Sequence, residues 1–588
     1  MISRRTFLGV AALAQLRLRA PTGSEARGFS RADVEYDWNG PFLRAHAVNR
    51  GTTAIRLHDV VIFERSLSLP PETALYGEGF QMLTQTAGTL ATPVDLSQYT
   101  DAQHYRIPTS ADARAYYGLL TLTPPAGDAL VFAFTSCARF TGRFEIAGST
   151  VRAIVDCEGL PLAPGQSWPL EELMVVTGRD RATVLADVAA RLAKSHPPLT
   201  RPKPPTGWCS WYCFGPSVTA GQVLDNLDVI AKSMPELRYI QIDDGYQRAM
   251  GDWLETGAAF GGSVRGVLGE IRKRGFEPAI WVAPFIAEEQ SHLFQEHRDW
   301  FIMDADGAPL RSDRVTFGGW RHGPWYALDG THPEAQAHLE GVFRTMREDW
   351  GCTYFKLDAN FWGAMHGGRF HDPKATRVEA YRRGMEAVGR GAGDAFLLGC
   401  NHPMWPSVGV IHGSRSSNDI KRSWDRIKTT ARQNLSRNWQ NGRLWWNDPD
   451  AVVLAADLTD AECQFHAAAI YASGGMVLSG DDLTKLPPVR AAMLRKLLPP
   501  TGVSATFSDA DLRIGTIKLA DATMICLFNW DDDPSEFVTK GPGGGQARGQ
   551  AVARLLYDFW TGEAIPQDGD RIALTLPPRS ARLLTVTS

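Results

Sequence analysis

The stretch Tyr354-Phe355-Lys356-Leu357-Asp358-Ala359-Asn360 ends an apolar and aromatic run in a charged pair. Such a run reads as a buried parallel strand whose last residues emerge at the carboxyl edge of a sheet, where α/β enzymes place their chemistry. An aspartate at that edge can attack an electron-poor carbon. A lysine two residues earlier points to the same side of the strand and favours the ionised carboxylate. Asp358 is therefore a candidate nucleophile. An ion pair that only closes a strand end has the same local pattern, so the decision rests on what else reaches this edge.

The elements that position Asp358 can be read on either side of it. Between Thr206 and about Pro500, strand-like runs alternate with amphipathic helices. Strands are expected at 207–211, 239–243, 278–283, 354–358, 395–399, 408–412, 443–446 and 475–479. Helices between them carry Val223, Leu224, Leu227 and Ile230, then Val264, Val267, Leu268 and Ile271 before a stop at Gly275, and later Leu339, Val342, Phe343, Met346 and Trp350. Eight strands joined by helices predict a central (β/α)8 TIM barrel over 206–503. Ahead of it, 21–194 holds short strand-like runs such as Leu130 to Phe134, Arg143 to Ile146, Thr150 to Val155 and Glu172 to Thr177. They predict an N-terminal antiparallel β-sandwich, closed by a proline-rich linker at 195–205. After the barrel, 504–588 returns to alternating strands and predicts a small C-terminal β-sheet domain.

A barrel of this kind collects its active site from the strand ends. In order these supply Trp211, Asp243 with Asp244, Trp281, Lys356 with Asp358, Cys400, Arg415 with Asp419, and Asn447 with Asp448. The first strand reads Trp208-Cys209-Ser210-Trp211 and lacks the His-x-His of a metal-dependent barrel hydrolase, so no metal or cofactor is expected. Gly474-Gly475 precede the eighth strand rather than follow it, which argues against a phosphate site. His322, His402 and His412 read as loop or core histidines rather than ligands, and Asn447, Asp448 and Asp450 as mainly structural. Two carboxylates with polar clamps and indole walls suit cleavage of a glycosidic bond.

Several segments resemble the α-galactosidases of glycoside hydrolase family 36, in clan D. They are Gly207-Trp208-Cys209-Ser210-Trp211-Tyr212, Gln241-Ile242-Asp243-Asp244-Gly245-Tyr246-Gln247, Gly251-Asp252-Trp253-Leu254, Ile280-Trp281-Val282-Ala283-Pro284-Phe285, Tyr354 to Asp358, Leu398-Gly399-Cys400, the Arg415 to Asp419 spacing, Trp446 to Asp450, and Ser479-Gly480-Asp481-Asp482-Leu483. They run colinearly through the barrel, roughly half of the chain. The resemblance implies a retaining exo-α-galactosidase that removes terminal galactose from oligosaccharides, with Asp358 as nucleophile and Asp419 as acid/base. It further implies that Asp243 and Asp244 hold hydroxyls on the far side of the sugar, that Trp211 and Trp281 wall it, and that Lys356, Cys400 and Arg415 hold hydroxyls near the reacting carbon. Lys356 would keep Asp358 ionised, and Asp419 would keep its proton through a less polar setting or repulsion from Asp358. The chain departs from the better-known members at Asn401-His402, which follow the cysteine where those carry small residues. An α-N-acetylgalactosaminidase or an α-galactosyl transferase of the same mechanism is the alternative.

Composition bounds the remaining classes. The 588 residues carry a formal net charge of -4 without a basic cluster, which speaks against a nucleic-acid partner. No stretch approaches the ~20 apolar residues of a membrane span. The eight cysteines are spread too widely for a disulfide framework or a zinc cluster. The start, Met1-Ile2-Ser3-Arg4-Arg5-Thr6-Phe7-Leu8, is similar to a twin-arginine export signal of bacteria, which predicts a leader over 1–20 and a periplasmic or secreted protein.

Overall fold

The computed structural model describes residues 33–587 apart from 456–457, 508, 541–545, 548–549, 552–554 and 566–570; the twin-arginine start lies outside the described residues. At its centre is an eight-stranded parallel barrel: β1 (Thr206–Cys209), β2 (Tyr239–Ile242), β3 (Glu277–Val282), β4 (Tyr354–Leu357), β5 (Phe396–Gly399), β6 (Gly413–Arg415), β7 (Trp446–Asp448) and β8 (Val477–Ser479). β8 pairs with β1, and the ring closes on β7 through the Met476 N–H, which donates to the Asn447 carbonyl at 2.8 Å. The approach there admits only glycine, since a β-carbon on Gly475 would fall 2.1 Å from the same carbonyl oxygen.

Alternation along the strands divides their side chains between two cores. Phe355 and Leu357 face the main core, together with Trp208, Ile240 and Ile280. Cys209, Ala279, Tyr354, Phe396, Leu398, Met476 and Leu478 fill the barrel interior. Lys356 and Asp358 share the parity of Tyr354, and this directs them inward.

Helices α1 (Ala220–Ser233), α2 (Val264–Lys273), α3 (Pro333–Glu348), α4 (Arg377–Ala392), α5 (Trp424–Ser436), α6 (Asp460–Ser473) and α7 (Pro488–Lys496) surround the barrel. The expected apolar faces are the buried ones, as Val264, Val267, Leu268 and Ile271 show in α2. Gly275 takes a φ of +83° just past its end.

Two expected strands move. Residues 408–412 are a buried turn and β6 is the polar triplet Gly413-Ser414-Arg415, while β7 starts at Trp446 rather than Arg443. Between β5 and β6 there is no α-helix among the described residues, only a short 3-10 turn at Trp405–Ser407. The N-terminal domain occupies that side. Its Met82 N–H donates to the His402 carbonyl at 3.0 Å, the Met404 N–H donates to the Phe80 carbonyl at 2.7 Å, and the Trp405 indole N–H donates to the Phe134 carbonyl at 2.7 Å.

That domain consists of a nine-stranded and a four-stranded antiparallel sheet, with most strands crossing between Asp33 and Gly178, followed by the helix Arg181–Ser195. The C-terminal domain is a five-stranded antiparallel sheet from Thr506–Phe507 to Ser580–Thr587, together with the two-stranded pair Ser535–Lys540 and Arg571–Leu576.

Among the ion pairs that join the N-terminal sandwich to the barrel, the pair of Arg437 and Glu78 lies deepest. Arg437 and Glu78 are both fully buried; the guanidinium donates to Glu78 Oε2 at 3.1 Å and to the Met82 carbonyl at 2.7 Å. Gln440 Nε2 also donates to Glu78 Oε1, at 3.1 Å. Removing one partner strands a buried charge, so Glu78→Ala is expected to cost about 3–5 kcal/mol of stability, read by urea unfolding. A loss under about 1 kcal/mol, the range of surface pairs, contradicts this account.

Candidate active site

Asp358 follows β4, with its N–H on the Val282 carbonyl at 2.8 Å. The chain then turns at Ala359, which has a φ of +52°. Three N–H donors converge on the carboxylate. Oδ1 accepts from the Ala359 amide at 2.7 Å and from Asn401 Nδ2 at 2.8 Å, and Oδ2 accepts from the Trp281 indole at 3.1 Å. An ionised carboxylate, which can only accept, matches such a set of donors.

Lys356 is not among them. Its ammonium donates to Asp243 Oδ2 at 2.9 Å, and both side chains are buried. Burial alone would lower the lysine pKa, but the Asp243 carboxylate outweighs it and holds the group well above its ordinary value. The expectation that Lys356 serves Asp358 is therefore corrected: Asp243 takes the charge, and neutral donors hold Asp358. Trp281 is also more than a wall, since it is almost wholly buried and presents its polar edge to Asp358.

At the end of β2, Asp243 accepts further from Gln241 Nε2 at 2.6 Å and from the Cys209 thiol at 3.4 Å. Asp244 receives the guanidinium of Arg321 on both oxygens, one bond measuring 3.0 Å, and Gln247 Nε2 at 2.6 Å. Burial raises the Asp244 pKa, and Arg321 opposes the rise. Trp211 opens the turn after β1, half-buried against the interior cluster. Cys400 is buried at the end of β5; burial pushes its thiol far up, with Asp358 and, more weakly, Asp419 adding to the effect.

Asp419 sits on the loop that leaves β6, with a side chain 54% exposed. It accepts from Arg415 Nη1 at 2.9 Å, and the Tyr212 hydroxyl oxygen lies 3.4 Å from the same carboxylate. The less polar setting expected for it is absent. Arg415, expected to hold sugar hydroxyls, instead spends its guanidinium on carboxylates: Asp419, then Asp448 at 3.2 Å through Nε and Asp450 at 3.0 Å through Nη2. Asp448 and Asp450, expected to be mainly structural, belong to the network behind Asp419. Asp450 also accepts from the Tyr212 hydroxyl at 2.5 Å and from the Ile420 N–H at 2.7 Å. Burial raises the Asp450 carboxyl to about 6, against the pull of Arg415.

The sequence reading passed over Arg321, Tyr212 and Tyr105. Arg321 lies in the long excursion between β3 and α3, where no periodicity marks it. Tyr212 ends the segment Gly207 to Tyr212, where nothing in the local pattern gives its hydroxyl a role. Tyr105 comes from the N-terminal domain, where it packs on Phe361 at 4.6 Å between ring centres. Burial and then the Asp358 charge raise its hydroxyl pKa far above the ordinary value.

Asp252, Glu255 and His292 could together face a cation, but Arg248 reaches all three: Asp252 and Glu255 at 3.3 Å and His292 at 2.9 Å. His402 is a core residue, its ring between Ser407 Oγ at 3.1 Å and Ser414 Oγ at 2.9 Å.

Residues 239–385 match the Melibiase family model. The matched segment includes Asp243, Asp244, Trp281, Arg321, Lys356 and Asp358, and stops short of Cys400, Arg415 and Asp419. The myogenesis-regulating glycosidase of Mus musculus is 29% identical over 153 residues, 26% of this chain and 20% of that protein. The A type blood alpha-D-galactosamine galactosaminidase of Flavonifractor plautii is 28% identical over 204 residues, 33% of this chain and 18% of that protein. The chain therefore spans a fifth or less of the length of these relatives. Among solved structures, the alpha-galactosidase TtGalA from Thermus thermophilus, in complex with p-nitrophenyl alpha-D-galactopyranoside, superposes with a TM-score of 0.61 at 23% identity, covering 81% of this chain and 95% of that one. The GH36 alpha-galactosidase AgaA from Geobacillus stearothermophilus gives 0.62 at 13% identity, covering 93% and 80%. These likenesses establish the fold, a barrel between antiparallel sheets.

The buried histidines make stability depend on pH. Burial holds His402 down at about 3 and His466 at about 4, whereas the unfolded chain takes up these protons near 6.5. The unfolded state therefore binds more protons across this range. Each histidine is expected to lower the unfolding free energy by about 1.4 kcal/mol per unit as pH falls from about 6.5 toward 4. Urea unfolding at pH 7, 6 and 5 reads this slope, and a stability that rises on acidification runs against it.

Proposed function

We propose that the chain is a retaining exo-α-galactosidase. The observation that carries the reading is the Asp358 carboxylate, held by three N–H donors in the same mouth as Asp419 and within a segment that matches the Melibiase model. In the first step an oxygen of Asp358 attacks the anomeric carbon. The bond to the leaving oxygen breaks as Asp419 gives that oxygen its proton. In the second step Asp419 takes a proton from water, the water oxygen bonds to the anomeric carbon, and the ester to Asp358 opens. Two inversions return the α-anomer.

Asp243, Asp244 and Lys356 supply buried charged groups for hydroxyls on the far side of the ring, with the partly buried Arg321 beside them, and Trp211 an indole face at the rim. Arg415 acts behind Asp419 by sharing its charge among Asp419, Asp448 and Asp450. Terminal α-linked galactose is the favoured sugar. The N-acetylgalactosamine alternative has weaker support, because His402 is turned into the core. Transfer to a sugar instead of water uses the same steps with another acceptor. Export through the Ser3-Arg4-Arg5 start belongs to this proposal as well.

Paired nitrophenyl α-galactoside and α-N-acetylgalactosaminide, with chelator present, test the reading. Wild type is expected to prefer the galactoside and to release α-galactose as the first-formed anomer by proton NMR. Asp358→Asn is expected to lose turnover by about 10⁴-fold or more, as covalent nucleophiles do, while still binding galactose. First-formed β-galactose, or an Asp358→Asn enzyme that still turns over, refutes the mechanism.

A further inference from the structure

Asn401 takes a left-handed backbone conformation, which asparagine tolerates better than most non-glycine residues, beside the Asp358 carboxylate. Its φ is +44°. Its Nδ2 donates to Asp358 Oδ1 at 2.8 Å. Its carbonyl is tied down by the Phe361 N–H at 2.7 Å, which fastens the loop after β5 to the turn after β4. Its Oδ1 is buried without a hydrogen-bond partner. An unpaired buried amide oxygen costs about 1–3 kcal/mol, which a structure sustains where a ligand supplies the missing donor.

The bonds on Asp358 are also unequal. Oδ1 carries two donors, at 2.7 and 2.8 Å, and Oδ2 carries one, at 3.1 Å. The oxygen with fewer donors keeps a lone pair available and is the better attacking atom. The twice-bonded oxygen is the handle by which the carboxylate is held.

We propose that Asn401 is a positioning and specificity residue, whose amide N–H orients Asp358 so that Oδ2 attacks, and whose amide oxygen accepts a hydrogen bond from the hydroxyl on the sugar carbon next to the one attacked. This rests on the assignment of Asp358 as nucleophile. The adjacent carbon is one bond from the reacting centre, so its hydroxyl lies beside the carboxylate and within reach of an amide already bonded to it. Hydrogen bonds to that hydroxyl strengthen as positive charge develops in the transition state. A loop glycine would satisfy the backbone angle and leave both bonds unmade.

Other titratable groups face Asp358 from several elements. Tyr105, from the N-terminal domain, and Cys400, at the end of β5, are both pushed upward by burial and stay neutral at acid pH. Lys356 on the same strand is committed to Asp243, and Asp419 lies on the loop after β6.

Asn401→Gly is the decisive variant, since glycine accepts the left-handed φ and removes the amide, and unfolding in urea checks that it folds. The expected result is a fall in kcat/KM of about 10- to 100-fold, because a donor that orients the carboxylate has gone. With a 2-deoxygalactoside, wild type is expected to lose rate, and Asn401→Gly to lose at least fivefold less, which is the coupling of a double-mutant cycle. Wild-type kinetics in a folded Asn401→Gly enzyme overturn the proposal, and an equal 2-deoxy penalty in both enzymes overturns its specificity half. An Asp358→Gly enzyme given azide separates this from the underlying reading. Formation of β-galactosyl azide upholds the nucleophile whatever Asn401 does, and its absence removes the premise.

Discussion

The buried pair of Lys356 and Asp243 sets the terms for the rest of the barrel mouth. A lysine directed inward from the central strand cannot remain unpaired in a dry interior. The carboxylate that meets it is the one at the end of β2, not the one two residues along its own strand. With the cation spent, Asp358 is left to N–H groups from three places, the strand end itself, β3 and the loop after β5. Asp244 then needs a cation of its own, and Arg321 reaches it from the long excursion after β3. Each charge is matched by an element other than the one that presents it, so the mouth exists only when the barrel is closed.

The second carboxylate is built on a different principle. Asp419 is half-exposed, and what organises it lies beneath: Arg415 joined to Asp448 and Asp450, with the Tyr212 hydroxyl reaching Asp450 and Asp419. The loop between is held from below as well. The Ser416 carbonyl accepts from Arg437 at 3.1 Å and from Gln85 at 3.2 Å, and the Asn418 N–H donates to Gln433 at 2.6 Å. Gln85 belongs to the N-terminal sandwich, and Arg437 carries the buried pair with Glu78. The N-terminal domain therefore packs where the barrel lacks a helix and braces the loop that carries Asp419.

Much of the barrel could be read in advance where apolar periodicity marks it. α2 shows all four expected residues buried, and β1 to β5 fall within two residues of the expected runs. The reading failed at β6, because Gly413-Ser414-Arg415 has no apolar alternation: its inward side chains belong to the polar site. The apolar run just before it is buried as a turn, and burial by itself does not distinguish a turn from a strand. The same limit hid Arg321, which lies on an excursion with no period to place it.

The sequence by itself determined the places of β1 to β5 and of the three helices marked by apolar faces, the inward parity of Lys356 and Asp358, and which acidic, basic and indole residues would stand at the strand ends. These follow from periodicity and from the rule that strand ends line the mouth of a parallel barrel. Only the tertiary structure decided how those groups are shared: Lys356 with Asp243, Asp358 with Trp281 and Asn401, and Arg415 with three carboxylates. The physical reason is that pairing of buried charges depends on distances across the barrel and between domains, between residues up to hundreds of positions apart, and no local pattern encodes which opposite charge arrives first.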